Sequence, residues 1–505
     1  VSRTRVAIIG AGIGGLASAL ILAKAGYSVS VYEKGPCAGG RMNVLAVDGF
    51  RFDTGPSWYL MPEIFEHFFE LIGENITDHV QLRRLDPGYQ VLFEHQPAIR
   101  IHGNRALDAA TFEEREPGSA DRLRAYLQTA GRSYELAKKY FLYNNFTAPW
   151  NMLHADVLAA LPRLVGSLAR SIDQNAAHYI TDPSLRHILE YPSVFLGSSP
   201  YAAPALYSLM SHLDFEQGVY YPMGGMYTII EALVHIGQKF GVEYVYNACV
   251  ERIIVDGGRA SGLEFKHSKS VSADIVISNA DLHFTETSLL PEELQSYPER
   301  YWDAATAGPS ALLLYLGVRG TLPMLEHHNL FFTDDWEGGF SAIFDHKTWP
   351  NPASLYVCVS SRTDPSVAPK GCENVFVLIP GPASTNDASA QQALMDRYID
   401  QIALMAHVPD LKERIISKHV FGPQDFKDQF NAWQATALGM SHTLKQSALF
   451  RPKNKSRKVS NLYYVGAGTV PGIGLPMCLI SAETLYKRLI HDASSGPLKH
   501  IKKVV

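Results

Sequence analysis

The chain has 505 residues, 46% of them hydrophobic and 19% charged, with a formal net charge of -5 at neutral pH. That composition excludes a disordered chain, is long enough for more than one hydrophobic core, and gives no basic footprint for nucleic acid. Five cysteines (Cys37, Cys249, Cys358, Cys372, Cys478) are odd in number and lack metal-ligand spacing, so neither a metal site nor a disulfide framework is expected, and a reducing, cytosolic setting fits. The apolar run Val6 to Ile9, broken at once by glycines, is too short for a signal peptide. Nothing approaches the roughly 20 apolar residues of a membrane span.

In chain order, Val6 to Ile9 reads as a buried parallel strand ending in a glycine turn. Gly14 to Ala25 carries Leu16, Ala19, Leu20 and Ala23 at helical spacing and stops at Gly26, and Ser28 to Glu33 follows as a second strand. This βαβ opening implies a parallel sheet with a right-handed crossover. From about 120 to 214 the pattern is mostly helical; Leu153, Val157, Leu161, Leu164, Leu168 and Ile172 share one face, and Pro162 is expected to kink it. The α/β character then returns: a helix over 227–240, a short strand over 243–246, a hairpin of 250–255 with 260–265, and a strand over 275–278. Residues 311–318, 354–360 and 375–379 predict strands of a separate sheet. A last strand, 462–465, meets a second glycine turn, Gly466-Ala467-Gly468. The expected fold class is α/β. A Rossmann-like nucleotide domain is assembled from 1–75, 218–300 and 455–495, with an inserted β-sheet substrate domain over 76–130 and 301–454 and a helical subdomain over 131–217.

Gly10-Ala11-Gly12-Ile13-Gly14-Gly15 satisfies G-x-G-x-x-G between a predicted strand and a predicted helix. Gly10 permits the tight turn, Gly12 lets backbone approach a pyrophosphate, and Gly15 allows close helix–sheet packing. The helix N-terminus offers free N–H groups to phosphate. Glu33, at the end of the second strand, suits the two hydroxyls of an adenosine ribose. The fingerprint alone does not separate NAD from FAD.

Two further stretches, Gly39-Gly40-Arg41 and Phe52-Asp53-Thr54-Gly55-Pro56, resemble the opening of the amine oxidase and carotenoid desaturase superfamily, whose cofactor is FAD in a GR2-type Rossmann-like domain. Closer likeness to the bacterial and fungal phytoene desaturases lies in Phe52 to Ser57, Tyr221 to Met226, Ser278-Asn279-Ala280-Asp281, Ala368 to Gly371 and Asn461 to Pro476. In the last stretch Val470 and Leu475 replace the commoner His and Ile. The resemblance covers about residues 5 to 490. It implies that Gly40 and Arg41 contact the phosphate or flavin region, that Thr54, Gly55, Pro56 and Ser57 lie beside the flavin, and that Val250 lies near the adenosine. It also implies Asn279 closing the nucleotide sheet, and Gly466, Gly468, Gly474 and Met477 near the isoalloxazine.

Desaturation of phytoene to lycopene or neurosporene would send a hydride to the flavin and a proton elsewhere. A dry, apolar tunnel is expected, with Trp58, Tyr59, Phe195, Tyr201, Tyr207, Phe215, Tyr220 and Tyr221 as candidate walls, although core packing explains any one of them as well. Asp425, in a segment resembling a family motif, is a candidate proton acceptor, with a surface carboxylate as its ordinary role; His283, His327 and His328 read as surface or packing residues. No second G-x-G-x-x-G follows a strand, so NADPH is not expected, and the resemblance implies quinone or oxygen as the partner of the reduced flavin. The aromatic segment 140–172, with Trp150, Arg163 and Arg170, suits a peripheral, monotopic seat on the cytoplasmic side of a membrane, and helix-on-core packing explains the same pattern. The basic runs at 451–458 and 499–503 read as a solvated loop and a tail that could touch anionic lipid. A carotenoid isomerase or ketolase, an amine oxidase, and a non-enzymatic flavin-binding escort are the alternatives.

Overall fold

The computed structural model describes residues 3–147, 154–267, 269–383 and 388–503. Its centre is a five-stranded parallel sheet ordered Leu462–Tyr464, Ile275–Ser278, Arg5–Ile9, Ser28–Tyr32, Glu243–Val245. Three distant pieces of chain thus meet in one sheet. The unbroken apolar run of the first strand reflects burial on both faces. Val6 and Ile8 pack with helices Ile13–Ala25, Tyr227–Lys239 and Leu475–Leu489. Ala7 and Ile9 pack on the other side with the hairpin Val250–Asp256/Arg259–Phe265 and with Trp302 and Trp433.

A second, seven-stranded mixed sheet runs Ile415–Phe421, Ser310–Arg319, Cys372–Gly381, Leu355–Cys358, His328–Phe332, Tyr89–Phe93, Ile99–Ile101. Sequence pattern had pointed to three of these strands. Alternation along Ser310–Arg319 explains its role: Leu312, Leu314, Leu316 and Val318 pack with helix Ala388–Met405. Ala311, Leu313 and Tyr315 face the opposite core. One face is sealed by a helix, and the other is free to form the wall of a cavity.

The helical stretch divides where the pattern predicted one continuous face. Helix Ala155–Ala169 carries Pro162 inside it without ending there. Ser171 then caps a new helix, Ile172–Tyr179, its hydroxyl accepting from the Gln174 N–H while the Gln174 side chain accepts from the Ser171 N–H. Ile172 is buried beside Leu196 and Ala203, away from the exposed leucines that precede it. Leu153 and Trp150 lie outside the described residues, as does the side chain of Arg163.

Candidate active site

The glycine turn is built as its chemistry requires. Gly10 leaves the first strand with φ 92°, a backbone open to glycine, and its N–H donates to the Tyr32 carbonyl at 2.8 Å. A Cβ on Gly15 would stand 2.2 Å from the Gly10 carbonyl oxygen, and one on Gly14 would stand 3.2 Å from the Gly466 Cα. Helix Ile13–Ala25 begins at Gly12 with no side-chain cap, so its first N–H groups remain available to an anion.

Glu33 is held by the Ala11 and Gly35 N–H groups, each at 2.8 Å. Gly39 pairs with the turn, its N–H donating to the Ala11 carbonyl at 2.9 Å, which brings Gly40 against Gly12. The Arg41 guanidinium lies over the Phe430 ring at 5.2 Å, and its buried Nε has no hydrogen-bond partner among the described residues. Burial pushes the Arg41 pKa down, with Asp281 opposing the shift. A second uncapped helix N-terminus, Leu475–Leu489 after Gly474 (φ 122°), opens on the same space. Two uncapped helix starts, an orphaned arginine nitrogen and a backbone-anchored carboxylate fit a dinucleotide with a ribose diol and phosphates.

Most of these residues line one cavity of about 1440 Å³. Its wall includes Gly10, Gly12, Gly14, Glu33, Gly40, Arg41, Thr54, Gly55, Pro56, Ser57, Val250, Asn279, Gly466, Gly474 and Met477. The volume exceeds the roughly 300–1,000 Å³ usual for one ligand. Away from the nucleotide cradle the space continues as a channel walled largely by apolar groups, among them Leu313, Leu330, Phe332, Trp336, Phe340 and Ile343.

Several expectations need correction. Gly15 and Gly468 do not reach the cavity wall. Gly15 closes the turn on Gly10, the close-packing role its place in the fingerprint predicted, and Gly468 lies where a Cβ would stand 3.1 Å from the Leu282 Cβ. Asp425, the candidate proton acceptor, sits in the first turn of helix Pro423–Phe430 and accepts from the Gly422 N–H at 2.7 Å, outside the cavity wall. Trp58, Phe195 and Tyr207 line the channel, whereas Tyr59, Tyr201, Phe215, Tyr220 and Tyr221 do not. Tyr59, Phe215 and Tyr221 are fully packed core.

The run 451–458 is not a solvated loop at its start. Arg451 is 1% exposed and donates to the carbonyls of Ala467 (2.7 Å), Gln446 (3.2 Å) and Thr469 (3.3 Å), directly behind the Gly466–Ala467 wall. Burial pushes its pKa down to about 10. Sequence reasoning also missed Trp336, Phe340 and Phe344, whose spacing of four on helix Trp336–Phe344 was a readable signal for an aromatic face.

With this geometry established, comparison with known proteins gives a consistent result. Residues 13–484 match the family model of flavin containing amine oxidoreductases. The chain is 43% identical over 493 residues to a carotenoid 3,4-desaturase of Haloarcula japonica, covering 96% of this chain and 98% of that one. It is 35% identical to a zeta-carotene-forming phytoene desaturase of Myxococcus xanthus, covering 96% of this chain and 94% of that one. Among solved structures, an oxidoreductase from Methanosarcina mazei superposes with a TM-score of 0.61 at 17% identity, covering 96% of this chain and 100% of that one, a likeness of fold. The chain belongs to the carotenoid desaturases of the flavin-containing amine oxidoreductase superfamily, with FAD as its cofactor.

Proposed function

We propose that the chain desaturates a long carotenoid hydrocarbon, with phytoene as substrate and lycopene or neurosporene as product. The observation that carries the reading is continuity: the dinucleotide cradle and the apolar channel are walls of one space. FAD, when bound, supplies the hydride acceptor. The chain's own residues supply the rest. Leu313, Leu330, Phe332, Trp336 and Phe340 exclude water and hold a flexible hydrocarbon in line, so that positioning carries most of the catalysis. Arg41 and the two helix N-termini hold the cofactor's negative charge. Quinone or oxygen is the proposed final electron acceptor, in keeping with the single dinucleotide fingerprint.

The substrate partitions into lipid, and the channel mouth suits collection from it. Leu158, Leu161, Val165 and Leu168 of helix Ala155–Ala169, with Leu444, Leu449 and Phe450, are exposed and also line the cavity. Contiguous apolar exposure at a cavity rim supports a peripheral seat on a membrane, on its cytoplasmic side. No helix among the described residues is long and apolar enough to cross one.

The identity to a carotenoid 3,4-desaturase favours a second reading, in which the enzyme acts later, on an already conjugated carotenoid. Expression in cells that accumulate phytoene, and separately in cells that accumulate lycopene, tests both by pigment chromatography. Lycopene or neurosporene in the first host supports the phytoene reading. Unchanged phytoene with a further-desaturated product in the second host moves the assignment to 3,4-desaturation. Both pools unchanged in desaturation, with flavin-loaded protein present, sinks the desaturase reading and leaves an isomerase or ketolase.

A further inference from the structure

Ser57 and Tyr356 put two hydroxyls on the cavity wall where the 54–57 segment meets the seven-stranded sheet. Their oxygens are 2.7 Å apart, and the Tyr356 hydroxyl is 2.7 Å from His328 Nδ1. A phenol has one proton, so with the His328 proton on Nε2 Tyr356 donates to Nδ1 and accepts from Ser57, and with it on Nδ1 the chain runs the other way. His328 is 0% exposed and fixed by stacking on the Trp58 indole, with ring centroids 4.4 Å apart and planes 9° from parallel.

Behind it the His327 ring lies edge-on at 4.4 Å. His327 Nδ1 is 2.7 Å from Thr363 Oγ1, and the Thr363 carbonyl accepts from Arg83 at an exposed position. The Nε2 atoms of both histidines are buried without a hydrogen-bond partner among the described residues. Such orphans each cost about 1–3 kcal/mol and call for a physical reason. Burial pushes His327 down to about 3, with Asp364 opposing, and His328 is lowered by burial and by His327, so both rings are neutral. Tyr221 and Cys358 also face the pair. Burial pushes the Cys358 thiol up to about 12, which keeps it protonated.

We propose, resting on the desaturase reading above, that Tyr356 and His328 take up the proton lost by the hydrocarbon in the dry cavity, with Ser57 orienting Tyr356. With FAD bound, one C–H bond would break with its electron pair leaving as hydride to the oxidised flavin. The neighbouring C–H bond breaks with its pair remaining as the new C=C bond. That proton goes to the Tyr356 oxygen as the phenol proton passes to His328 Nδ1, which holds it as the imidazolium. A carbon beside one that has lost hydride is strongly acidic, so a weakly basic imidazole suffices to take its proton.

The test uses FAD-loaded protein mixed anaerobically with phytoene or lycopene in phosphatidylcholine vesicles, in water and in deuterium oxide. Tyr356→Phe and His328→Gln should slow flavin bleaching about 100-fold with unchanged FAD content and melting temperature. The solvent isotope effect of the wild type should disappear in Tyr356→Phe. Nitrogen-15 NMR of the histidines in the cofactor-free protein should show His328 neutral with its proton on Nε2, and that tautomer should no longer be fixed in Tyr356→Phe. Wild-type bleaching rate and isotope effect retained in both variants would overturn the relay and leave the desaturase standing. A wild-type flavin that neither hydrocarbon reduces would remove the desaturase and the relay together.

Discussion

At Glu33 the carboxylate accepts from two backbone N–H groups and still has lone pairs facing the cavity for a ribose diol. Glu33→Ala removes those acceptors while leaving the turn glycines intact. FAD affinity should fall about 100-fold, since each charge-assisted hydrogen bond is worth about 1.5–3 kcal/mol; fluorescence titration of the cofactor-free protein reads it, and unaltered affinity would refute the ribose contact. His327 makes a pH prediction. Its folded pKa, about 3, lies below the unfolded value near 6.5, so as pH falls the unfolded chain takes up a proton that the folded chain refuses. Stability is lost from about pH 6.5 downward, and His327→Gln should lose about 1.5 kcal/mol less than the wild type between about pH 6.5 and 5, measured by urea unfolding. The glycines and Glu33 were legible in sequence because steric and hydrogen-bond demands fix their spacing. Arg451 was not: a charge run reads as solvated, and the carbonyls that satisfy its guanidinium come from segments folded around it.

Elements with one dominant period were readable, and elements whose pattern is broken by buried polar groups were not. The first strand, its helix and the 250–265 hairpin stand within a residue or two of expectation. Strand Tyr89–Phe93 was missed because Gln90 interrupts its apolar run; Gln90 is buried and satisfied by Asn329 Oδ1 at 2.6 Å, a partner in a strand far along the chain. Helix Ala155–Ala169 was anticipated as a helix, but whether its leucines face core or solvent is a tertiary fact. With Leu161 49% and Val165 57% exposed, the double variant Leu161→Glu/Val165→Glu should leave the melting temperature within a few degrees. Co-sedimentation with phosphatidylcholine vesicles should fall at least about ten-fold, because it places two charges in the apolar contact. Undiminished vesicle binding would move the membrane seat elsewhere.

On the scale of the whole molecule, the two sheets divide the labour. The parallel sheet gathers three distant chain segments around the dinucleotide turn, and the mixed sheet turns one apolar face toward the same space. Local pattern showed both sheets in outline, yet the continuity of the cavity between them arises only when the chain closes on itself.

That continuity is tested most directly by anaerobic addition of phytoene, and separately of lycopene, in vesicles to purified FAD-loaded protein while the visible flavin absorbance is followed. A hydrocarbon that shares one cavity with the cofactor bleaches it and is recovered with a longer conjugated chain. A fully oxidised flavin beside either unchanged hydrocarbon would contradict the shared cavity as a site of reaction.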